Sequence, residues 1–197
     1  MLTLFINLAT KLFFLLTPFF VLSVFLSMTE HMDRATQRRV AMRTTLAVAI
    51  ICMVLYLAGN PIFATLGITL DGFRIGAGSL LFLSAVSLVS GKRSSQEVAP
   101  DVDFAVVPLA IPVTVGPATI GTLLILGAEL GGTLERAIGA VALLCACLCV
   151  GIILHSARVL KKLLGTVGLS IMTKITGLVL SALAAQIVFT GIQNFLR

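Results

Sequence analysis

Hydrophobic residues run through this chain in long blocks, without the period of a surface helix or a half-buried strand. Apolar stretches at 6–28, 40–59, 70–90, 104–127, 136–156 and 168–194 are separated by short polar joints. Each block is about 20 residues long, the length an α-helix needs to cross the hydrocarbon of a bilayer. The pattern predicts an all-α polytopic membrane protein with six transmembrane helices in one domain over 1–197. The first block is too long for the apolar core of a cleavable signal peptide. No small-residue cleavage site precedes Met28-Thr29-Glu30, so it is expected to stay as the first span.

The joints differ in charge. The first, third and fifth carry Arg34, Arg38, Arg39, Arg43, Lys92, Arg93, Arg158, Lys161 and Lys162, whereas the second and fourth hold at most Arg74 and Arg136 at their margins. Excess Lys and Arg marks cytoplasmic loops. The odd joints are therefore expected inside the cell, with both termini outside and the protein in a bacterial inner membrane. Composition agrees with a bilayer partner: 58% of residues are hydrophobic, 11% are charged and mean hydropathy is +1.13. A soluble domain carries about 25% charged residues. The net charge of +6 and pI of 9.6 could suggest nucleic acid, but the cations sit in short joints and form no solvated basic face. Cys52, Cys145, Cys147 and Cys149 fall inside apolar blocks and read as small buried hydrophobes. No further ligands stand near them, so no metal and no cofactor is expected.

The third and sixth blocks align one hundred positions apart, Arg74-Ile75-Gly76-Ala77-Gly78 against Lys174-Ile175-Thr176-Gly177-Leu178. In the first and fourth, Thr17-Pro18-Phe19 aligns with Gly116-Pro117-Ala118 and Ser23 with Thr122. A three-span unit, once repeated, must insert in the opposite orientation, which is the inverted-repeat plan of many secondary transporters. The expected repeats cover about 1–91 and 104–197, joined by a cytoplasmic linker over about 91–103.

Chemistry concentrates in the fourth block. Pro108, Pro112, Pro117, Gly116, Gly121, Thr114, Thr119 and Thr122 stand where a plain helix would hold none of them. An interior proline removes a hydrogen bond and clashes with the preceding turn. In lipid such a break survives only against protein or a wet cavity. A gap is expected around Thr114 to Gly116, with a new half-helix from Pro117. The N–H groups of Ala118, Thr119 and Ile120 would then be unpaired and suited to a carboxylate, and carbonyls before the break suited to an ammonium or Na⁺. The alternative is a packing kink with hydroxyls bonded back to the helix. Thr17, Pro18 and Ser23 hold the paired positions in the first block. Gly76, Gly78 and Gly177 suit close helix packing. Arg74 reads either as an interfacial anchor or as a contact for a substrate carboxylate, and Gln186 as an interhelical hydrogen-bonding group or a substrate contact. The eight acidic residues all lie in joints or at span ends, which argues against a mid-membrane carboxylate relay. No nucleophile–base set or metalloprotease motif appears, so an enzyme is not expected.

Several segments together resemble the MarC family of bacterial inner-membrane proteins, also called UPF0056. They are Phe25-Leu26-Ser27-Met28-Thr29; Phe73-Arg74-Ile75-Gly76-Ala77-Gly78; Val107-Pro108-Leu109-Ala110-Ile111-Pro112 with Gly116-Pro117; and Gly177-Leu178-Val179-Leu180 through Gln186 to Gly191. The resemblance implies six spans and a kinship with LysE-type exporters. It also implies transport of neutral amino acids, as is described for some members. The first block departs from the family pattern Asp-Pro-x-Gly-Asn-x-Pro, reading Thr17, Pro18, Phe19, Phe20, Val21, Leu22 and Ser23 instead. Ala118 stands where glycine is usual. The expected function is a secondary transporter of a small neutral solute, a neutral amino acid foremost, working by alternating access. Its substrate site is expected at Thr17, Pro18, Ser23, Arg74, Pro112, Thr114, Gly116, Pro117, Ala118, Thr119 and Gln186. The alternative is a non-transporting membrane scaffold or assembly protein, and either could form an oligomer.

Overall fold

A computed structural model describes residues 1–91 and 109–196, except the side chains of Asn60 and Pro112. The linker and its charges Lys92, Arg93, Glu97, Asp101 and Asp103 lie outside the described residues, as do 104–108 of the fourth block. All elements among the described residues are helical: α1 (Leu2–Leu15), α2 (Pro18–Met28), α3 (Arg34–Leu66), α4 (Leu70–Ser90), α5 (Pro117–Glu129), α6 (Thr133–His155) and α7 (Ala157–Phe195). A wide turn of the π type, Leu109–Thr114, precedes α5. Five segments are long and apolar enough to cross a membrane, namely α1 with α2, α3, α4, α6 and α7, and α5 is a shorter apolar helix. The protein is a polytopic, all-helical membrane protein.

Its surface fits that solvent. Met42, Leu46, Ile50, Val54 and Leu57 are all exposed along one face of α3, and Val141, Leu144, Leu148 and Ile152 along α6. The spacing of three or four residues puts each set on a single stripe. In water such stripes would be an association hazard; against lipid they need no cover.

Two joints lie elsewhere than the hydropathy implies. α3 continues through Asn60-Pro61 to Leu66 and ends on Gly67, whose φ of 63° only glycine adopts without cost. Pro61 deletes one helical hydrogen bond without ending the helix, so the second joint is only Gly67 to Thr69. Thr69 then caps α4 by accepting from the Gly72 N–H at 3.2 Å. The joint over 156–165 is itself mostly helix. α7 starts at Ala157 and is interrupted at Gly165 (φ 63°, ψ −178°), leaving a first arm that carries Arg158, Lys161 and Lys162.

Close helix contact depends on glycine. α4 and α7 form the most extensive pair. A Cβ on Gly78 would lie 2.7 Å from Val188, one on Gly177 3.0 Å from the Ala85 carbonyl, and one on Gly191 2.9 Å from that of Asp71. α3 meets α5 just as closely: a Cβ on Gly127 would fall 1.8 Å from the Tyr56 carbonyl oxygen, and one on Gly59 2.3 Å from that of Leu124. Gly76 has no such role, since a Cβ there would meet nothing within 4 Å. The four cysteines are free.

Candidate functional site: two helix breaks in the core

The first block is broken between α1 and α2. Thr17 takes φ 48°, ψ 54°, the one non-glycine residue with positive φ among the described residues. Its N–H bonds the Phe14 carbonyl at 3.0 Å, and its carbonyl accepts from Val21 at 3.0 Å as α2 begins. Pro18 opens α2 at the position where a missing N–H costs nothing. The left-handed region is unfavourable for a β-branched side chain, by about 1–2 kcal/mol.

The second break runs from the wide turn into α5. Ile111, immediately before Pro112, is extended (φ −127°, ψ 127°), as the steric demand of a following proline requires. The Thr114 hydroxyl donates to the Leu109 carbonyl at 2.7 Å, and the Val115 N–H to that of Ala110 at 2.9 Å. Each of these two carbonyls thus already accepts one hydrogen bond and keeps its second lone pair. Gly116 (φ −83°, ψ 175°) caps α5 without a side chain, and Pro117 is its first residue. The Ile120 N–H bonds the Gly116 carbonyl at 3.0 Å, so Ile120 is removed from the expected donor set. Ala118 and Thr119 keep N–H groups with no helical partner.

Both breaks are lined by buried residues, although Ile111 and Pro117 are exposed and Thr17 and Gly116 half-buried. Leu16, Val21, Leu22, Leu109, Ala110 and Val115 are fully buried, and Thr114, Ala118 and Thr119 nearly so. The wide turn packs on α2 and α3. The Thr119 hydroxyl makes no hydrogen bond among the described residues, unlike Ser23, which bonds back to Phe19 at 3.0 Å, and Thr122, which bonds back to Ala118 at 2.9 Å. A groove of about 600 Å³ between α4 and α5, lined by Phe73, Gly76, Ala77, Pro117, Ile120 and Gly121 among others, reaches the start of α5.

The remaining expected site residues stand apart. Arg74 is tied to two carboxylates: it pairs with Asp71 and donates to Glu129 Oε1 from Nε at 3.0 Å and from Nη2 at 2.6 Å. Asp71 also accepts from Asn194 at 3.2 Å. This cluster joins α4, α5 and α7 at one end of the bundle. Gln186 is exposed on α7, with its carbonyl taken by Thr190 at 2.8 Å.

A second cluster closes the other, basic end. Arg158 donates to Gln37 at 2.6 Å and to the Met32 carbonyl at 2.7 Å; Gln37 donates to Thr29 at 2.9 Å, and Lys161 reaches Glu30 at 3.4 Å. Nothing in the sequence signals that partners 121 residues apart should meet. Thr44 was also not singled out. It lies on the buried stripe of α3 with Ala41, Val48, Cys52 and Tyr56, is 0% exposed, and its hydroxyl has no hydrogen-bond partner among the described residues.

Comparison with known proteins bears on the whole of this architecture. Residues 2–196 match the family model described as MarC family integral membrane protein. A UPF0056 membrane protein of Aquifex aeolicus is 31% identical, covering 98% of this chain and 94% of its own length. The UPF0056 membrane protein YhcE of Escherichia coli is 32% identical over 93% of this chain and 89% of its own. The UPF0056 inner membrane protein YhgN of the same organism is 27% identical over 98% of both. No solved structure matches. A match over nearly every residue, on a chain whose broken helices carry the proline-rich motifs, places this protein in the MarC family of integral membrane proteins.

Proposed function

We propose that the protein is a secondary transporter of a small neutral amino acid, working by alternating access between two inverted three-helix repeats. The observation that carries the proposal is the start of α5: a helix N-terminus whose Ala118 and Thr119 are buried and keep N–H groups without helical partners, with a groove reaching the exposed Pro117. Such an end favours a carboxylate through its N–H groups and its dipole. A break of this kind is tolerated at membrane depth only where protein or a cavity surrounds it.

The packing supports the repeat. α2 lies on α7 as α5 lies on α4, α1 on α6 as the wide turn on α3, and α3 with α6 and α4 with α7 pair across the implied axis. The basic end, with Arg34, Arg38, Arg39, Arg158, Lys161 and Lys162, is assigned to the cytoplasm by the positive-inside rule. Arg74 then holds the outer end closed and Arg158 the inner end. Both clusters must open in turn during a cycle, and Arg74 acts as a latch in place of a substrate ligand.

A second reading, a non-transporting scaffold, draws on the satisfied hydrogen bonds of Thr114 and Val115 and on the apolar lining of the groove. Uptake of radiolabelled glycine, L-alanine and L-serine into proteoliposomes separates the two. Transport predicts flux above empty vesicles for the wild type and its loss in Gly116→Ala/Pro117→Ala. A wild type with no flux for any neutral amino acid would refute the transporter.

A further inference from the structure

The first arm of α7, residues 157–164, separates its charges from its apolar side chains. At about 100° per residue, Arg158, Lys161 and Lys162 share one face, and Val159, Leu160, Leu163 and Leu164 the opposite one. Arg158 and Lys161 are committed to protein, through Gln37, the Met32 carbonyl and Glu30. Lys162 is exposed and makes no ion pair among the described residues. On the apolar side Leu160 and Leu164 pack against the core, but Val159 and Leu163 are 60% and 76% exposed. One edge of the arm is thus held by protein, and one ammonium and two apolar side chains are left over.

The arm lies at the rim of the lipid-facing surface. The outward stripe of α6 ends near Ile152, and that of α7, formed by Val167, Ile171, Ile175 and Leu178, begins two residues after Gly165. The stripe of α3 begins at Met42, with Arg39 exposed on the same face one turn earlier. The chain bends at both ends of the arm: α6 stops at Ser156 (φ −92°, ψ 14°), and Gly165 takes φ 63°, ψ −178°. The arm therefore continues neither span and stands where apolar side chains give way to cations. Charge at this level is unbalanced. Arg34, Arg38, Arg39, Arg158, Lys161 and Lys162 face only Glu30 and Asp33 among the described acids near them, and Asp33 is occupied in capping α3.

We propose that this arm is an interfacial helix that binds a phospholipid of net negative charge, with Val159 and Leu163 against its acyl chains and the Lys162 ammonium on its phosphate. A helix with a basic face and an uncovered apolar face is the form that lies in a headgroup layer. The lysine stem lies along apolar surface while its ammonium stays at the level of the phosphates. A zwitterionic headgroup brings its own cation and cancels much of that attraction; an anionic one does not. A protein partner would have to reach a strip flanked on both sides by lipid-facing stripes, where the bilayer already stands.

Lipid contact at the arm is independent of any transport cycle, and quenching by brominated lipid tests it. The chain has no tryptophan, so Leu163→Trp gives a single reporter, and Val159→Trp a second one on the same face. The full-length variants are reconstituted in phosphatidylcholine vesicles that contain brominated phosphatidylglycerol or brominated phosphatidylcholine. Brominated chains should quench the reporter, and acrylamide in the water should quench it poorly. Brominated phosphatidylglycerol should reach half-quenching at about five-fold lower mole fraction than its phosphatidylcholine counterpart, the equivalent of about 1 kcal/mol for one lysine near a charged surface. Lys162→Gln should bring that ratio to about one, Lys162→Arg should keep it, and high salt should shrink it. Efficient quenching by acrylamide alone would overturn the proposal by placing the arm in water. Quenching by neither agent would overturn it in favour of a protein cover, such as a second copy of the chain. Equal quenching by the two lipids, or a preference that survives Lys162→Gln, would overturn the role of Lys162 in choosing an anionic headgroup.

Discussion

Single positions carry opposite demands in this protein, and the glycines and Thr17 make that measurable. Gly127 sits where a Cβ would fall 1.8 Å from a backbone oxygen of α3, an atom that cannot rotate away. Gly127→Ala should separate α3 from α5 and cost about 2–3 kcal/mol, the upper range for overpacking. Gly76→Ala meets nothing within 4 Å and should gain about 0.5–1 kcal/mol from helix propensity alone. Unfolding of the two variants in mixed micelles would check both the sign and the difference. Thr17 is the reverse case, a β-branched residue held at φ 48°. Thr17→Gly relieves that conformation and should stabilise the protein by about 1 kcal/mol in the same assay. The family pattern has aspartate here, a residue that tolerates the left-handed region better. The departure at Thr17 thus changes backbone energetics as well as the chemistry of the side chain.

At the level of elements, the caps and breaks decide what moves. Asp33 starts α3, accepting from the Ala35 and Thr36 N–H groups at 2.9 and 3.2 Å. Hydrogen bonds from Thr36, side chain first, hold its carboxyl below the ordinary value of 3.8. A depressed carboxylate contributes stability that is complete above the unfolded value and is lost as pH falls through the folded one. Amide protection of the first turn of α3, corrected for intrinsic exchange, should therefore drop below about pH 4 in the wild type. In Asp33→Asn, which caps without titrating, it should stay flat. Much of this element structure was legible from local pattern. The prolines and Gly116 signalled the break before α5, and the break between α1 and α2 was signalled by Pro18 at the matching position. What misled was also local. Pro61 marks a joint by composition, but a single lost hydrogen bond does not stop a helix whose next turn lies beyond the apolar span. Gly165 and the basic residues before it read as a loop because charge, rather than propensity, dominates hydropathy. The partners of Arg74 and Arg158 lay beyond reach, because tertiary packing alone brings Glu129 to one and Gln37 to the other. Thr44 hid for a related reason: a threonine in an apolar helix reads as bonded back to the carbonyl four residues earlier, and only the structure shows that bond unmade.

Over the whole molecule, the two end clusters and the orientation form one argument. Arg158, Gln37, Thr29 and Met32 close the end where α2 gives way to α3, and Arg74, Asp71, Glu129 and Asn194 close the opposite end. Alternating access needs these ends to face different compartments, and the positive-inside rule assigns the first to the cytoplasm. Gly131 offers a clean reporter for the second. It is exposed in the joint between α5 and α6, and a side chain there meets nothing within 4 Å. Lys162 reports on the first end, exposed in the short arm before Gly165. The native cysteines lie within the spans, so replacing them with serine or alanine gives a background free of other thiols. In that background, intact cells treated with a membrane-impermeant maleimide should label Gly131→Cys. Lys162→Cys should label only after the inner membrane is permeabilised. The reverse pattern would invert the assignment of both clusters and place the α5 N-terminus in a half-helix that opens to the cytoplasm. Equal labelling of both sites in intact cells would mean that the chain inserts in two orientations. The same repeat geometry would then serve an antiparallel pair of copies, with each end cluster facing both compartments in the population.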